Sequence, residues 1–256
     1  MRVLSLEKVT HRYRTRSGEV TALREVDLRI EARESVAVLG PSGCGKSTLL
    51  RIIDGLLPPT SGTVRVDGRK LTAPRERTAL ILQDLGLLPW KTVLENACVG
   101  QEIRGVPKAR ARAAAMEFLH KVELERSADL YPQELSGGMR QRLAIARAMI
   151  LGCDLLLMDE PLSALDALLR ERMQRLLLDM QKTYGYAQVV VTHSIEEAAL
   201  LGKKIVVMAA NPGRIVSVVD NPGQGGQDYR NSGELFEMTK LLRALLRRAR
   251  EEKPGA

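Results

Sequence analysis

Two short stretches of this chain hold residue types that can do chemistry on phosphate. The first, Gly40-Pro41-Ser42-Gly43-Cys44-Gly45-Lys46-Ser47, fits the spacing G-x-x-x-x-G-K-[ST]. It follows an apolar strand-like run and precedes a helical one, the context that spacing needs. Glycines let the backbone curl until successive N–H groups point inward, and a helix N-terminus adds partial positive charge. Lys46 would then neutralise the β- and γ-phosphates of a nucleoside triphosphate, and the Ser47 hydroxyl would ligate Mg²⁺. The bland alternative, a chance glycine-rich turn between strand and helix, fits that context poorly. The second stretch, Leu155-Leu156-Leu157-Met158-Asp159-Glu160, is an apolar strand ending in two carboxylates. The last residues of a parallel strand reach the ligand crevice. Asp159 is therefore read as holding Mg²⁺ through water, and Glu160, at the bend made by Pro161, as orienting or deprotonating an attacking water. Acidic residues also end strands merely to face solvent; the presence of the first stretch favours the chemical reading.

Three further features are ambiguous taken singly. His193 ends a strand-like run over Gln188–Thr192. A lone histidine is usually structural, yet this position favours contact with a γ-phosphate. Gln83 also ends a strand, where its amide can offer oxygen to Mg²⁺ or NH₂ to water. Leu135-Ser136-Gly137-Gly138-Met139-Arg140-Gln141 presents a hydroxyl and two glycines at a helix start. That arrangement suits an anion, and equally an ordinary Ser N-cap with a glycine turn.

The elements that must position these residues follow from periodicity. Strands are predicted at Val3–Tyr13, Thr21–Ile30, Ser35–Leu39, Thr63–Val66, Thr78–Leu82, Leu155–Met158, Gln188–Thr192, Ile205–Met208 and Ile215–Val219. Helices are predicted at Lys46–Asp54, stopped by Gly55, at Gly138–Leu151, stopped by Gly152, and at Asp166–Thr183. Thr92-x-x-Glu95 and Ser194-x-x-Glu197 read as capping boxes, and Pro107 suits the first turn of an Ala-rich helix. Alternating strands and helices imply an α/β fold with a mostly parallel sheet, an antiparallel portion from the N-terminal strands and a helical insertion over 84–151. The core then comprises 1–83 and 152–220. Asn221–Gly233, Gly-rich and polar, reads as a linker to a C-terminal amphipathic helix, with Leu235, Met238, Leu242, Leu245 and Ala249 opposite Lys240, Arg243, Arg247 and Arg250 within 221–256.

The chain has 256 residues, 45% of them hydrophobic and 3% aromatic, enough for one sizeable α/β domain with an inserted subdomain. Its core must be packed by aliphatic residues. No apolar run approaches the ~20 residues that span a bilayer, and the start, Met1-Arg2-Val3-Leu4-Ser5, lacks a signal-peptide core; a cytosolic protein is expected. Cys44, Cys98 and Cys153 are too scattered for a disulfide framework or zinc cluster. The net charge of +8 is diffuse, and fits an anionic membrane surface or nucleotide as well as nucleic acid.

Taken in order, Gly40–Thr48, Gln83, Leu135–Gln141, Leu155–Glu160, Ser163-Ala164-Leu165-Asp166 and His193 resemble the ABC ATPase family, over about residues 2–220. The resemblance implies a P-loop NTPase (RecA-like) core with an antiparallel β subdomain and an inserted helical subdomain carrying the signature. It implies ATP and Mg²⁺ as ligands, and a head-to-tail homodimer in which each ATP lies between one copy's phosphate loop and the other's signature residues, Leu135, Ser136, Gly137, Gly138 and Gln141. By the same resemblance Tyr13 stacks on adenine, Thr48 touches the α-phosphate, Gln83 links nucleotide to an integral membrane permease, and Asp166 couples the two sites. Location on the cytoplasmic face of the cell membrane follows from that partnership.

Leu87-Leu88-Pro89-Trp90-Lys91-Thr92-Val93-Leu94-Glu95-Asn96, with the turn Asn211-Pro212-Gly213-Arg214-Ile215, looks like the importer branch that serves nitrate, sulfonate, taurine and related solutes. A periplasmic or lipid-anchored solute-binding protein would be an indirect partner. Trp90, the single tryptophan, is expected in packing rather than on a ligand. An alternative is a soluble ABC ATPase acting on nucleic acid or ribosomes. Such proteins generally carry a long coiled-coil insertion, zinc cysteines or a tandem ATPase domain, none of which is found in this sequence, so no nucleic-acid partner is expected. Three departures from the family pattern stand out: Arg33 for a turn glycine, Cys153 for a proline, and Leu169 for a frequent threonine.

Overall fold

Alternating apolar residues open the chain. In the computed structural model, which describes residues 3–16, 18–163, 165–226 and 228–251, Val3–Thr15 (β1) and Gly18–Glu31 (β2) pair as an antiparallel hairpin. Ala164 of the Ser163–Asp166 run, and residues 1, 2 and 252–256, lie outside the described residues. Register shifts interrupt the ladder, with Lys8 at φ 48 and Glu25 at φ 45, as β-bulges do to bend long strands. Ser35–Leu39 (β3) leaves for a second sheet and runs into Lys46–Asp54 (α1), which ends at Gly55 with φ 84. Ser61–Val66 (β4) and Arg69–Lys70 (β5) turn at Asp67-Gly68 and complete an antiparallel sheet of order β2-β1-β4-β5.

After Thr78–Ile81 (β6) the chain becomes helical: Val93–Ile103 (α2), Lys108–Lys121 (α3) and Gly137–Met149 (α4). The capping box at Thr92 and Glu95 is formed in both directions, and Pro107 occupies the N-cap of α3. These helices share a core of their own, including Val93, Ala97, Ala115, Leu119, Leu143 and Ala146. Leu155–Asp159 (β7), Ala167–Tyr184 (α5), Ala187–Thr192 (β8), Ile195–Leu201 (α6), Lys204–Ala209 (β9) and Arg214–Asp220 (β10) follow, then Gly233–Glu251 (α7). The second sheet has the order β10-β9-β3-β8-β7-β6, parallel throughout except for β10, which pairs antiparallel with β9.

The uninterrupted apolar runs in β3, β7 and β8 reflect a parallel sheet covered on both faces. Leu155 and Leu157 face a core shared with α1 and the antiparallel sheet, while Leu156 and Met158 face one shared with α4 and α5. Period-2 side-chain alternation thus divides one leucine-rich strand between two cores. Leu49, Leu50, Ile52 and Ile53 of α1 are fully enclosed between the sheets; each contributes about 1.5–3 kcal/mol by leaving water. The helix that starts at the phosphate loop is therefore firmly seated.

Several expectations change in the folded chain. Trp90 is 70% exposed and packs in no core. The anchor of its segment is Asn96, fully buried, which takes the Leu88 N–H and donates to the Leu88, Lys91 and Thr92 carbonyls. The box at Ser194 is half made: Ser194 accepts the Glu197 N–H, but the Glu197 carboxylate takes the Thr192 hydroxyl at 2.5 Å. The stretch after β10 is pinned: buried Asn221 donates to the carbonyls of Ala199 and Gly202 and accepts the Tyr229 hydroxyl. Arg33 adopts φ 61, the left-handed backbone that makes glycine usual there. Cys153 is buried in the core against α4 and α5. Among the described residues no helix is long and apolar enough to cross a membrane.

Candidate nucleotide site

Close approaches shape the loop between β3 and α1. A Cβ at Gly40 would lie 2.6 Å from Cys44 Sγ, and one at Gly45, already at φ +87, would lie 2.7 Å from Leu23 Cδ2. Gly43 is also left-handed, at φ +79. The Cys44 N–H donates to the Pro41 carbonyl at 3.3 Å. Cys44 is fully buried, and burial pushes its thiol above the ordinary range, so the side chain fills space rather than reacts. Lys46 Nζ donates to the carbonyls of Gly40 (2.9 Å) and Pro41 (3.0 Å) and lies 4.0 Å from Glu160 Oε1. Three acceptors hold an ammonium that is only 6% exposed. Ser47 is exposed beside it, and the Thr48 hydroxyl is 3.2 Å from the Tyr13 hydroxyl.

These residues line a cleft of about 500 Å³. It gathers Tyr13, Ser42, Gly43, Gly45, Lys46, Ser47, Thr48, Gln83 and Glu160 from the expected set. Gly40, Pro41 and Cys44 form the loop beneath it. Val20, Thr21, Ala22, Asn211 and Gly213 line it as well, and none was assigned to the site from sequence. Gly213 is held by its N–H to the Ala22 carbonyl (3.0 Å) and by the Arg24 N–H to its own carbonyl (2.9 Å). A Cβ there would collide with the Cys44 carbonyl oxygen. The usable signal was a glycine beside Pro212 in a hairpin, but only tertiary contact explains it.

At the end of β7, Asp159 is buried and Glu160 adopts φ 47, a left-handed conformation that costs a non-glycine residue about 1–2 kcal/mol. The turn is held by the Glu160 N–H to the Val191 carbonyl (2.9 Å) and by Ser163, whose hydroxyl donates to the Glu160 carbonyl at 3.0 Å. Glu160 Oε2 is 3.0 Å from His193 Nδ1. Below the histidine, the Thr192 hydroxyl accepts the Ser194 N–H at 3.0 Å and donates to buried Glu197, whose carboxyl is pushed up by burial. His193 thus reaches the cleft through Glu160, and neither His193 nor Asp159 is among its lining residues.

The second anion-type feature lies elsewhere. Ser136 is the N-cap of α4, its hydroxyl accepting the Met139 N–H at 3.3 Å. Ser136 is exposed and Gly137 half-buried, whereas Leu135, Gly138 and Gln141 are enclosed, Gln141 at 3% exposure. No residue of 135–141 lines the cleft. Exposed Asp166 is the N-cap of α5 through the Leu169 N–H (3.0 Å), and Arg170 donates to the Leu165 carbonyl (2.7 Å) across the same turn. Arg147 of α4 donates to the Leu85 (2.5 Å) and Gly86 (2.6 Å) carbonyls, tying that helix to the strand exit that carries Gln83.

Ser47 and Gln83 in the lining offer a hydroxyl and an amide oxygen, and buried Asp159 a carboxylate, the chemistry of a hard cation such as Mg²⁺. Among the described residues no group of three or more His, Cys, Asp or Glu could hold a metal unaided. A cation here would share the oxygens of a phosphate, as Mg²⁺ in nucleotide sites does.

A family model described as ABC transporter matches residues 23–163. A taurine import ATP-binding protein of Pseudomonas aeruginosa (strain UCBPP-PA14) is 46% identical over 213 residues, covering 83% of this chain and 81% of that protein. The dimeric structure of a bacterial ABC transporter cassette superposes with a TM-score of 0.78 at 33% identity, covering 86% of this chain and 99% of that one. The same coverage and identity, with a TM-score of 0.77, hold for a dimeric post-hydrolysis state of an ATP-binding cassette bound to ADP and Pi.

Proposed function

The chain belongs to the ABC transporter family and is an ATPase of it, and on that premise we propose that two copies close head-to-tail on two ATP molecules and drive import through a separate membrane permease. The solute is a small sulfonate or a related anion. Support for the solute comes from the 46% identity to a taurine import protein and from the Leu87–Asn96 segment.

In this reading the loop 40–45 and the first turn of α1 cradle the phosphates. Lys46 exchanges its carbonyl partners for β- and γ-phosphate oxygens, and Thr48 reaches the α-phosphate beside Tyr13, which stacks on adenine. A bound Mg²⁺ would neutralise charge building on the transferred phosphoryl group, held by the oxygens of Ser47 and Gln83 and, through water, by Asp159. Glu160 orients the attacking water and takes its proton, and His193 holds that carboxylate in place. Ser136, Gly137 and Gly138 of the other copy complete the charge cage, since phosphoryl transfer depends mainly on positioning and electrostatics. Loss of the γ-phosphate removes the bridge, and repulsion between the products helps the pair reopen. Gln83 and the segment held by Arg147 carry that motion toward the permease on the cytoplasmic face of the membrane, where a solute-binding protein delivers cargo on the other side. Asp166 couples the two sites.

One observation carries the dimer reading: a glycine-led helix tip with Ser136 exposed stands outside the cleft that its chemistry suits. The test is Glu160→Gln with Mg·ATP, followed by light scattering. It should bind ATP, lose hydrolysis by on the order of 10³-fold, and accumulate as a dimer. A variant that stays monomeric at saturating ATP would exclude the shared site.

A further inference from the structure

Leu169 makes an apolar contact between the starts of two helices. It sits in the first turn of α5, its N–H held by Asp166 Oδ1 at 3.0 Å. Its side chain lies against the tip of α4: a Cβ added to Gly138 would be 2.5 Å from Leu169 Cδ2, 2.7 Å from Cδ1 and 2.9 Å from Cγ. One turn earlier, Leu165 Cδ2 lies 3.8 Å from where a Gly137 Cβ would be. Two leucines at i and i+4 thus lie beside two glycines, and at Gly138 only a bare backbone permits so close an approach.

We propose that Leu169 is a positioning residue that locks the tip of α4 to the start of α5, so that Ser136–Gly138 and Asp166 present themselves to a second copy as one rigid piece. This rests on the head-to-tail reading above. Apolar carbon against glycine backbone resists rotation of one helix end past the other, because any such shift opens a void. Leu169 also walls a crevice of about 220 Å³ shared with Arg142, Met173 and Leu176, so the side chain has room to be displaced or shortened without blocking folding.

The experiment compares Leu169→Ala, Leu169→Met, Ser136→Arg and Gly138→Ala, the last also combined with Leu169→Ala, in the full chain. It measures ATP affinity at dilutions below dimerisation, ATP-driven dimerisation in the Glu160→Gln background, and steady-state kinetics with Glu160 present. Leu169→Ala should keep single-chain ATP affinity within about twofold, weaken dimerisation and lower kcat about tenfold, and leave KM nearly unchanged. Leu169→Met should restore most of the loss. Gly138→Ala should cost more in the parent than in Leu169→Ala, because the added methyl acts by expelling Leu169. Parent-like dimerisation and kcat in Leu169→Ala, or equal costs of Gly138→Ala in both backgrounds, would overturn the proposal. Intact dimerisation in Ser136→Arg would instead bring down the head-to-tail reading, whereas its loss beside an unaffected Leu169→Ala would remove the positioning role alone.

Discussion

The starts of α1 and α4 are both helix N-termini fronted by glycine, but they are finished differently. No side chain caps α1; Gly45 leads into it in a left-handed turn, and Lys46, Glu160, Tyr13 and the 211–213 turn enclose the space in front. Its unsatisfied N–H groups face a cleft built within the same chain. The start of α4 is capped by its own Ser136, and no residue of that tip lines the cleft. One end opens onto a cleft of its own chain, while at the other Ser136 caps the Met139 N–H and no residue of the tip reaches that cleft. Similar local chemistry therefore stands in two different settings, and under the proposed head-to-tail dimer they are a whole site and a half site.

Removing the ammonium from the whole site should give the largest effect. Lys46→Ala is expected to cut hydrolysis on the order of 10³-fold and to weaken ATP binding in the single chain; unchanged turnover in a steady-state assay would dismiss the cleft as the site. Blocking the half site should act differently. Ser136→Arg is expected to lower kcat on the order of 10²-fold while single-chain ATP affinity, read with a fluorescent analogue, stays put. A parallel collapse of affinity would mean that both helix ends serve one nucleotide within one chain, and the contrast would be lost.

An effect on stability rather than turnover concerns the far end of α1. Asp54 is buried near the helix C-terminus, and burial raises its carboxyl to about 6 from 3.8. A raised folded value means that native Asp54 binds its proton more tightly than unfolded Asp54 does. Stability is therefore lost as pH rises from about 4 through 6 and stays lost above. Asp54→Asn should raise stability by roughly 3 kcal/mol at pH 8 and by about half as much at pH 5. Urea midpoints at the two pH values test this, and an equal gain at both would show that ionisation is not the cause.

Much of this was legible before folding was considered. The bounds of β3 and α1 match periodicity and glycine punctuation residue for residue, because a short apolar strand, a glycine loop and a helix stopped by glycine are local events. Glu197 shows the limit: Ser194-x-x-Glu197 has the spacing of a capping box, but Thr192 competes for the carboxylate and takes it. Trp90 shows another limit, since an expectation from residue type yields to a segment anchored by Asn96 instead. Gly213 and Leu169 were visible as residues and opaque as contacts, because each matters only through a chain segment distant in sequence.

The sequence by itself determined which residues can meet a triphosphate, in what order they occur, and that strands and helices alternate around them. Those properties reside in residue type and in spacings of eight residues or fewer, within reach of local backbone geometry. Tertiary structure alone decided that the 211–213 turn lies on the phosphate loop, that His193 reaches the cleft through Glu160, and that Leu169 lies against the tip of α4, which stays out of that cleft. Such juxtapositions follow from the order of strands in the sheet and from where helices seat on its faces, and no short stretch of sequence contains that information.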